Sequence, residues 1–563
     1  MRKIIWLLIA IFAVASFAGA QERLLSIDDI FDPEKRVAFG GSPTFVEWNS
    51  DGTLRQVKFN PTARRVELLK IDAATGAEKP FLDSARLESA LFSAGIRIEK
   101  ARVLANQPNF ILSKDEKFAL ISSDGDLYLY DINAGTARRL TETKEEEEEA
   151  DFSPDGRMVS FVRGNNLFVI DLASGRERQL TRDGGEKIFN GILDWVYEEE
   201  LYGRGNRRGY WWSPDSTRIA FLRLDEAKVP RFVLTDDTLN EQRVENTFYP
   251  KAGDPNPAVT LGIADVTKTS VIPNVRRIPK VGEKIPSSVA RFGDVVKFVD
   301  LQKYNPEDLL IVRVIWSPDA KSVIFQAQNR EQIFLDFNAA DLNGKTTTLF
   351  TERTKAWVAA NGDPFFLKDG SFIWQSERSG FNHLYHYSRD GRLIKQITDG
   401  RWEIGSFHGV DEASGFAYFS ASGVDGDWIN THVYRVKLDG TGFQRLTEGA
   451  GTHIASFSPK MTHFVEYFSD VNTPLQTRLY RADGTLERVI NENKVEILGQ
   501  YKLSRPQFLK VKTRDGFEME AMIILPPDFD ANKKYPVLSY TYGGPHAPQV
   551  RNQWGGSRMM CIR

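Results

Sequence analysis

The sequence holds a single cysteine, Cys561, among 563 residues, so no disulfide can form within the chain and ordinary core packing must hold the fold. Histidine is scarce as well. Seven residues in a chain of this length argue against a His-based metal cluster. A net charge of −3 supplies no basic field of the kind that gathers nucleic acid. After residue 20 no run is apolar enough to cross a membrane.

What the chain does have is length and aromatic residues. Seventeen Tyr, eleven Trp and thirty-seven Phe in a 41% hydrophobic, 26% charged composition point to a β-rich globular protein with more than one domain. The first twenty residues read as an export signal: Arg2 and Lys3, an apolar core from Ile4 to Phe17, and Ala18-Gly19-Ala20 as a small-residue cleavage motif. The alternative is an uncleaved anchor, for which the apolar run is short. A periplasmic or secreted location is expected. Beyond it, residues 25–31 predict a short amphipathic segment capped by Ser26 or Asp28.

From about residue 40 to 498, short apolar runs alternate with turn clusters, the signature of many small strands. One turn recurs as Phe152-Ser153-Pro154-Asp155-Gly156, Trp212-Ser213-Pro214-Asp215 and Trp316-Ser317-Pro318-Asp319, with worn copies at Trp48 to Gly52 and Phe457 to Pro459. Looser copies begin at Leu112 and Leu367. Ser first, Pro second and Gly fourth is type I turn chemistry, and the aromatic before it should bury between sheets. Repetition at blade length predicts a β-propeller of about eight blades, in preference to a sandwich.

Two acidic runs interrupt this pattern. Glu145 to Glu149 lacks aromatic neighbours and reads as a solvated loop. Asp194-Trp195-Val196-Tyr197-Glu198-Glu199-Glu200 is different, because aromatics lead straight into three adjacent carboxylates, which repel one another unless water or a cation surrounds them. This second run is predicted to receive a positively charged amino terminus. Near residue 500 the repeat stops. Residues 508–511 and 519–525 look like paired strands, 537–542 like a buried strand, and Gly543-Gly544-Pro545 like the turn after it.

Asp194 to Glu200, Trp211-Trp212-Ser213-Pro214, Tyr249 to Gly253 with Asn256-Pro257, Ser376 to Phe381, and Tyr542-Gly543-Gly544-Pro545 occur in the order of one known family. By these motifs the chain resembles the bacterial dipeptidyl peptidase IV branch of the prolyl oligopeptidase serine peptidases. The resemblance implies a mainly β fold, an eight-bladed propeller followed by an α/β-hydrolase domain. It implies release of dipeptides with Pro or Ala second from peptide amino termini, no cofactor, and a homodimer in the full-length enzyme. Glu199 and Glu200 would bind the substrate's ammonium group, and Tyr542 would stabilise the oxyanion. Glu198, about 100° away on a helix, would be structural. The expected domains are an export signal at 1–20, a segment at 21–39 packing on the hydrolase, the propeller at 40–498, and a truncated hydrolase start at 499–563.

Two departures qualify the resemblance. The family's early-blade Arg has no counterpart in Leu120-Ile121-Ser122-Ser123. Nor does any G-x-S-x-G occur: Gly405-Ser406-Phe407-His408-Gly409 has Phe in place of Ser, Gly555-Gly556-Ser557 lacks the pattern, and His546 is not at the family's catalytic position. The chain as given is therefore expected to lack the Ser-His-Asp triad and peptidase turnover, through a frameshift, a break or an early stop near Ser557. The rival reading is a non-catalytic propeller that binds peptides or scaffolds the cell envelope.

Overall fold

The structure, a computed structural model, describes residues 23–107, 109–238, 240–268, 295–544 and 546–555. The predicted export signal and Cys561 lie outside them. The chain forms two compact units, one of residues 1–56, 71–77 and 399–563, the other of 57–70 and 78–398.

The architecture is mainly β, an eight-bladed propeller. Its antiparallel sheets span residues 47–82, 111–139, 148–179, 188–298, 309–353, 365–396, 403–445 and 452–491. Seven are simple four-stranded meanders. In the fourth, strands Ile188–Asn190, Arg218–Asp225, Ala258–Asp265 and Val296–Phe298 form the path, and Tyr210–Trp212 pairs beside Ile188–Asn190 on the strand Arg218–Asp225. A separate hairpin, Arg231–Asp236 with Arg243–Phe248, extends from this blade.

The recurring turn does what its residues dictate. Ser153 Oγ donates to Asp155 (2.6 Å) and accepts the Met158 N–H (2.9 Å), while Gly156 N–H closes the turn on Ser153 O (2.8 Å). Ser213, Ser317 and Ser113 repeat the arrangement. The fourth residue has positive φ in each: 70° at Gly156, but also 60° at Ser216, 58° at Ala320 and 58° at Glu116. Glycine is thus preferred there without being obligatory, since the serine and aspartate bonds hold a strained residue in place. The aromatics before the turn link neighbouring sheets. Trp212 Nε1 donates to Ser160 Oγ (2.8 Å), Trp316 Nε1 to Trp211 O (2.9 Å) and Trp48 Nε1 to Ser456 O (2.8 Å).

Three expectations need correction. Residues 83–106 hold a helical hairpin where only strands were predicted. Asp83 caps its first helix, and Leu87, Leu91, Ala101 and Ala105 are buried, a 3.6-residue period that marks an amphipathic helix. The acidic run at 145–149 is a solvated loop only at the exposed Glu145 and Glu146. Glu147 is fully buried against Arg163 (3.1 Å) and the hydroxyls of Thr141 and Thr143, and Glu148 opens the strand Glu148–Phe152. Residues 537–542 form no strand, and Val537 is 91% exposed. A buried strand needs neighbours on both edges and faces, whereas the described hydrolase-like residues offer only the hairpin Gln507–Lys512 with Glu518–Ile523.

The amino-terminal segment is tied down locally. Ser26 caps the helix Ile27–Phe31 in a capping box with Asp29. Phe39 meets the Tyr501 ring edge-on at 5.2 Å, and Tyr501 donates its hydroxyl to Asp29 (2.9 Å).

Candidate functional site

The site is built on the long loop between the first two chain segments of the fourth blade. Asp194 starts it. Its buried carboxylate accepts the N–H groups of Val196 (3.1 Å) and Tyr197 (3.2 Å), donors that the first turn of a helix leaves open. The following turns widen into a π-helical stretch, Tyr197–Gly203, a geometry that recurs at functional sites.

The strand Leu309–Trp316 of the fifth blade receives this helix. Tyr197, fully buried, accepts the Ile311 N–H (3.4 Å), and Tyr202 donates to Ile311 O (3.2 Å). Arg313 donates to Leu201 O (2.7 Å), satisfying a carbonyl near the helix end. The strand's register shifts between Ile311 and Arg313, which re-aims side chains toward the helix. The Trp195 ring meets that of Tyr249 at 4.5 Å with the planes tilted by 58°, so the Tyr249 motif and the acidic motif, far apart in sequence, meet in one aromatic contact.

The three glutamates then diverge. Glu198 accepts the Gly205 N–H (3.1 Å) and lies 3.7 Å from Arg207, which also pairs with Glu148. It braces the loop. Glu199 holds Arg204 in a fork, with Nε at 3.0 and 2.7 Å from its two oxygens and NH2 bonded as well. This guanidinium keeps the Glu199 carboxyl below the usual carboxylate range. Glu200 is exposed and has no partner among the described residues.

Burial works in the opposite direction underneath. It pushes Asp194 up to about 6, against the pull of the Val196 and Tyr197 N–H groups. It pushes Glu226 up to about 8, helped by the charge of Asp194. It also raises the Glu149 carboxyl, which the guanidiniums of Arg207 and Arg208 offset only in part. Glu149 has a φ of 52°, a strained position for a residue other than glycine.

Tyr542 belongs to the other unit and is 71% exposed. A Cβ at Gly544 would sit 2.4 Å from its ring, and Gly543 has a φ of 72°, so both glycines suit the turn that presents it. Residues 118–123, the stretch that corresponds to the family's early-blade Arg, form a strand without one. Sequence reasoning missed Arg204, Arg207, Arg313 and Glu226. Arg204 and Arg207 had a legible signal, as basic residues just beyond an acidic helix. Arg313 and Glu226 had none, since only the packing of blades brings them under it. Among the described residues no group of three His, Cys, Asp or Glu could hold a metal, and no helix is long and apolar enough to cross a membrane.

The family model described as "Dipeptidyl peptidase IV (DPP IV) N-terminal region" matches residues 110–475. The chain belongs to this dipeptidyl peptidase family. It is 29% identical to dipeptidyl peptidase 4 of Arthroderma otae over 457 residues, which cover 76% of this chain and 54% of that one. It is likewise 29% identical to a probable dipeptidyl-aminopeptidase B of Emericella nidulans over 477 residues, covering 78% and 49%. The chain thus spans about half the length of the curated relatives it matches. The crystal structure of Porphyromonas gingivalis dipeptidyl peptidase 4 superposes with a TM-score of 0.79 at 25% identity, covering 95% of this chain and 71% of that one. A putative dipeptidyl aminopeptidase IV from Bacteroides ovatus shares the fold, with a TM-score of 0.72 at 20% identity and coverage of 95% and 72%.

Proposed function

We propose that the chain is the peptide-anchoring part of an exported serine exopeptidase that releases dipeptides, with Pro or Ala second, from peptide amino termini. The carrying observation is the state of Glu199 and Glu200. One carboxylate already accepts a fork of N–H donors from a cation, and its neighbour is exposed and unpaired. A substrate ammonium group offers the same charge-assisted donors, three in number, and only a free amino terminus brings them there. The helix that carries the pair is held from below by Tyr197, Tyr202 and Arg313, so the carboxylates are pre-positioned.

In the complete reaction a serine would attack the scissile carbonyl with histidine as base, and Tyr542 would donate its hydroxyl to the oxyanion. The 563 residues carry no G-x-S-x-G, so we expect them to bind substrate without turning it over. The test is calorimetric titration of the chain with a peptide beginning Gly-Pro and with its N-acetylated form. Binding should need the free amine and fall on the order of a hundredfold in Glu199→Ala with Glu200→Ala. Peptide binding that survives both changes would overturn the anchor and favour a propeller that binds peptides by another surface. Release of a chromophore from a Gly-Pro substrate by the purified chain would overturn the expected lack of turnover.

A further inference from the structure

The seventh blade contains a cavity of about 340 Å³ that the proposed chemistry does not use. Its floor is one face of the sheet. Ala421 pairs across from His432, and Tyr434 across from Arg445, so these four side chains share a face. The small Ala421 leaves the space. Phe443 forms part of the wall, with its ring 5.3 Å from Tyr434. The roof is the turn 423–427, in which Gly423, Asp425 and Gly426 all have positive φ, of 85°, 56° and 83°. Asn430 fixes that turn by donating to both oxygens of Asp427 (2.9 and 3.0 Å), and Asn552 in turn donates to Asn430 (2.9 Å).

The charges in this cavity are not paired with one another: Asp425 and Arg445 are exposed, and Asp427 is half-buried with both oxygens accepting from Asn430. Asp425 and Asp427 make no ion pair among the described residues, and neither does Arg445, although all three line the same space. Opposite charges held apart in one cavity are complementary to a ligand that carries both. Between them His432 is 95% buried, with Nδ1 bonded to Thr447 Oγ1 (3.2 Å) and Nε2 without a partner among the described residues. Burial, with the charges of His453 and Arg445, pushes this imidazole down to about 4, so at neutral pH it is an uncharged hydrogen-bonding group. The volume lies at the lower end of ordinary ligand sites.

We propose that this cavity binds a small zwitterion, a free amino acid or dipeptide, with its ammonium at Asp425 and Asp427 and its carboxylate at Arg445. The aromatic wall of Tyr434 and Phe443 takes the side chain, and His432 Nε2 takes a polar atom of the ligand. The site uses neither Glu199 nor Glu200 and stands whether or not they anchor substrate.

The experiment is calorimetric titration of the chain carrying Glu199→Ala and Glu200→Ala, so that the two sites are read apart. Alanyl-proline should bind, and its N-acetyl and C-amide forms should each bind about tenfold more weakly or worse, since each loses one of the two charges. Asp425→Asn, which keeps a residue tolerant of positive φ, and Arg445→Gln should each produce the same loss with an unchanged melting temperature. Alanine alone binding as well as alanyl-proline identifies an amino-acid site, and preference for the dipeptide identifies a product-binding one; both support the proposal. Equal binding of the capped forms, or indifference to both substitutions, overturns it. So does no heat at millimolar ligand, or binding of a monosaccharide in the dipeptide's place.

Discussion

The helix at 195–203 and the stretch at 537–544 are both rich in aromatic residues, yet the structure treats them oppositely. In the first, Tyr197 is fully buried and accepts the Ile311 N–H, and the partly buried Tyr202 donates to Ile311 O. In the second, Leu538, Tyr540 and Tyr542 are all exposed, and none lies in a strand. Hydrophobic residues mark where a core can form, but burial requires a second surface, which the strand Leu309–Trp316 supplies to the helix and no described residues supply to 537–542.

Substitution should expose that contrast. Tyr197→Ala removes a large side chain packed against the fourth and fifth blades and should cost about 3–5 kcal/mol in urea unfolding. Tyr542→Ala should stay within about 0.5 kcal/mol, as exposed positions do. Equal losses would erase the distinction. Limited proteolysis should agree, with first cuts between residues 524 and 544 and later ones in the propeller.

A second contrast lies within the site, between carboxylates held charged and carboxylates held neutral. Glu226 and Asp194 have folded-state pKa values of about 8 and about 6, raised from 4.5 and 3.8. At these two groups the folded chain therefore holds more protons than the unfolded one between about pH 4 and pH 8, and their contribution to stability falls as pH rises through that window, opposed in its lower part by His408 and His432, whose imidazoles burial pushes down to about 4. Glu226→Gln should flatten this slope and stabilise the protein by about 2 kcal/mol at pH 8, with little change at pH 4.5. A wild-type melting temperature that rises between pH 5 and 8 in parallel with the variant's would contradict it. A smaller effect than at Glu226 is expected at the cap. Asp194→Ala should cost about 1 kcal/mol and weaken amine binding, while Asp194→Asn, an equal cap, should keep most of both.

Much of the fold was legible because its information is local. The serine-aspartate turn is a contact between residues two and five apart, so it appears in the sequence as a repeated phrase. The helix that carries Glu198, Glu199 and Glu200 was marked for a similar reason, as aromatics and acids in one uninterrupted run. The helical hairpin at 83–106 was legible in principle from its Asp83 cap and its Leu87–Leu91 spacing, but the surrounding strand pattern overrode it. Glu147 was misread because five acids in a row have the composition of a solvated loop. Its partner Arg163 reaches it only by way of the neighbouring strand.

By itself, then, the sequence determined the repeating blade, the turn chemistry and the run of aromatics and acids at 194–200. Those depend on contacts within a few residues, where chain connectivity guarantees proximity. The tertiary structure alone decided which glutamate braces the loop and which is left open, that Arg313 and Glu226 lie under the helix, and that Asp425 and Arg445 face one cavity without pairing. Those facts turn on which residues distant in sequence the sheets bring together, and no local preference encodes that.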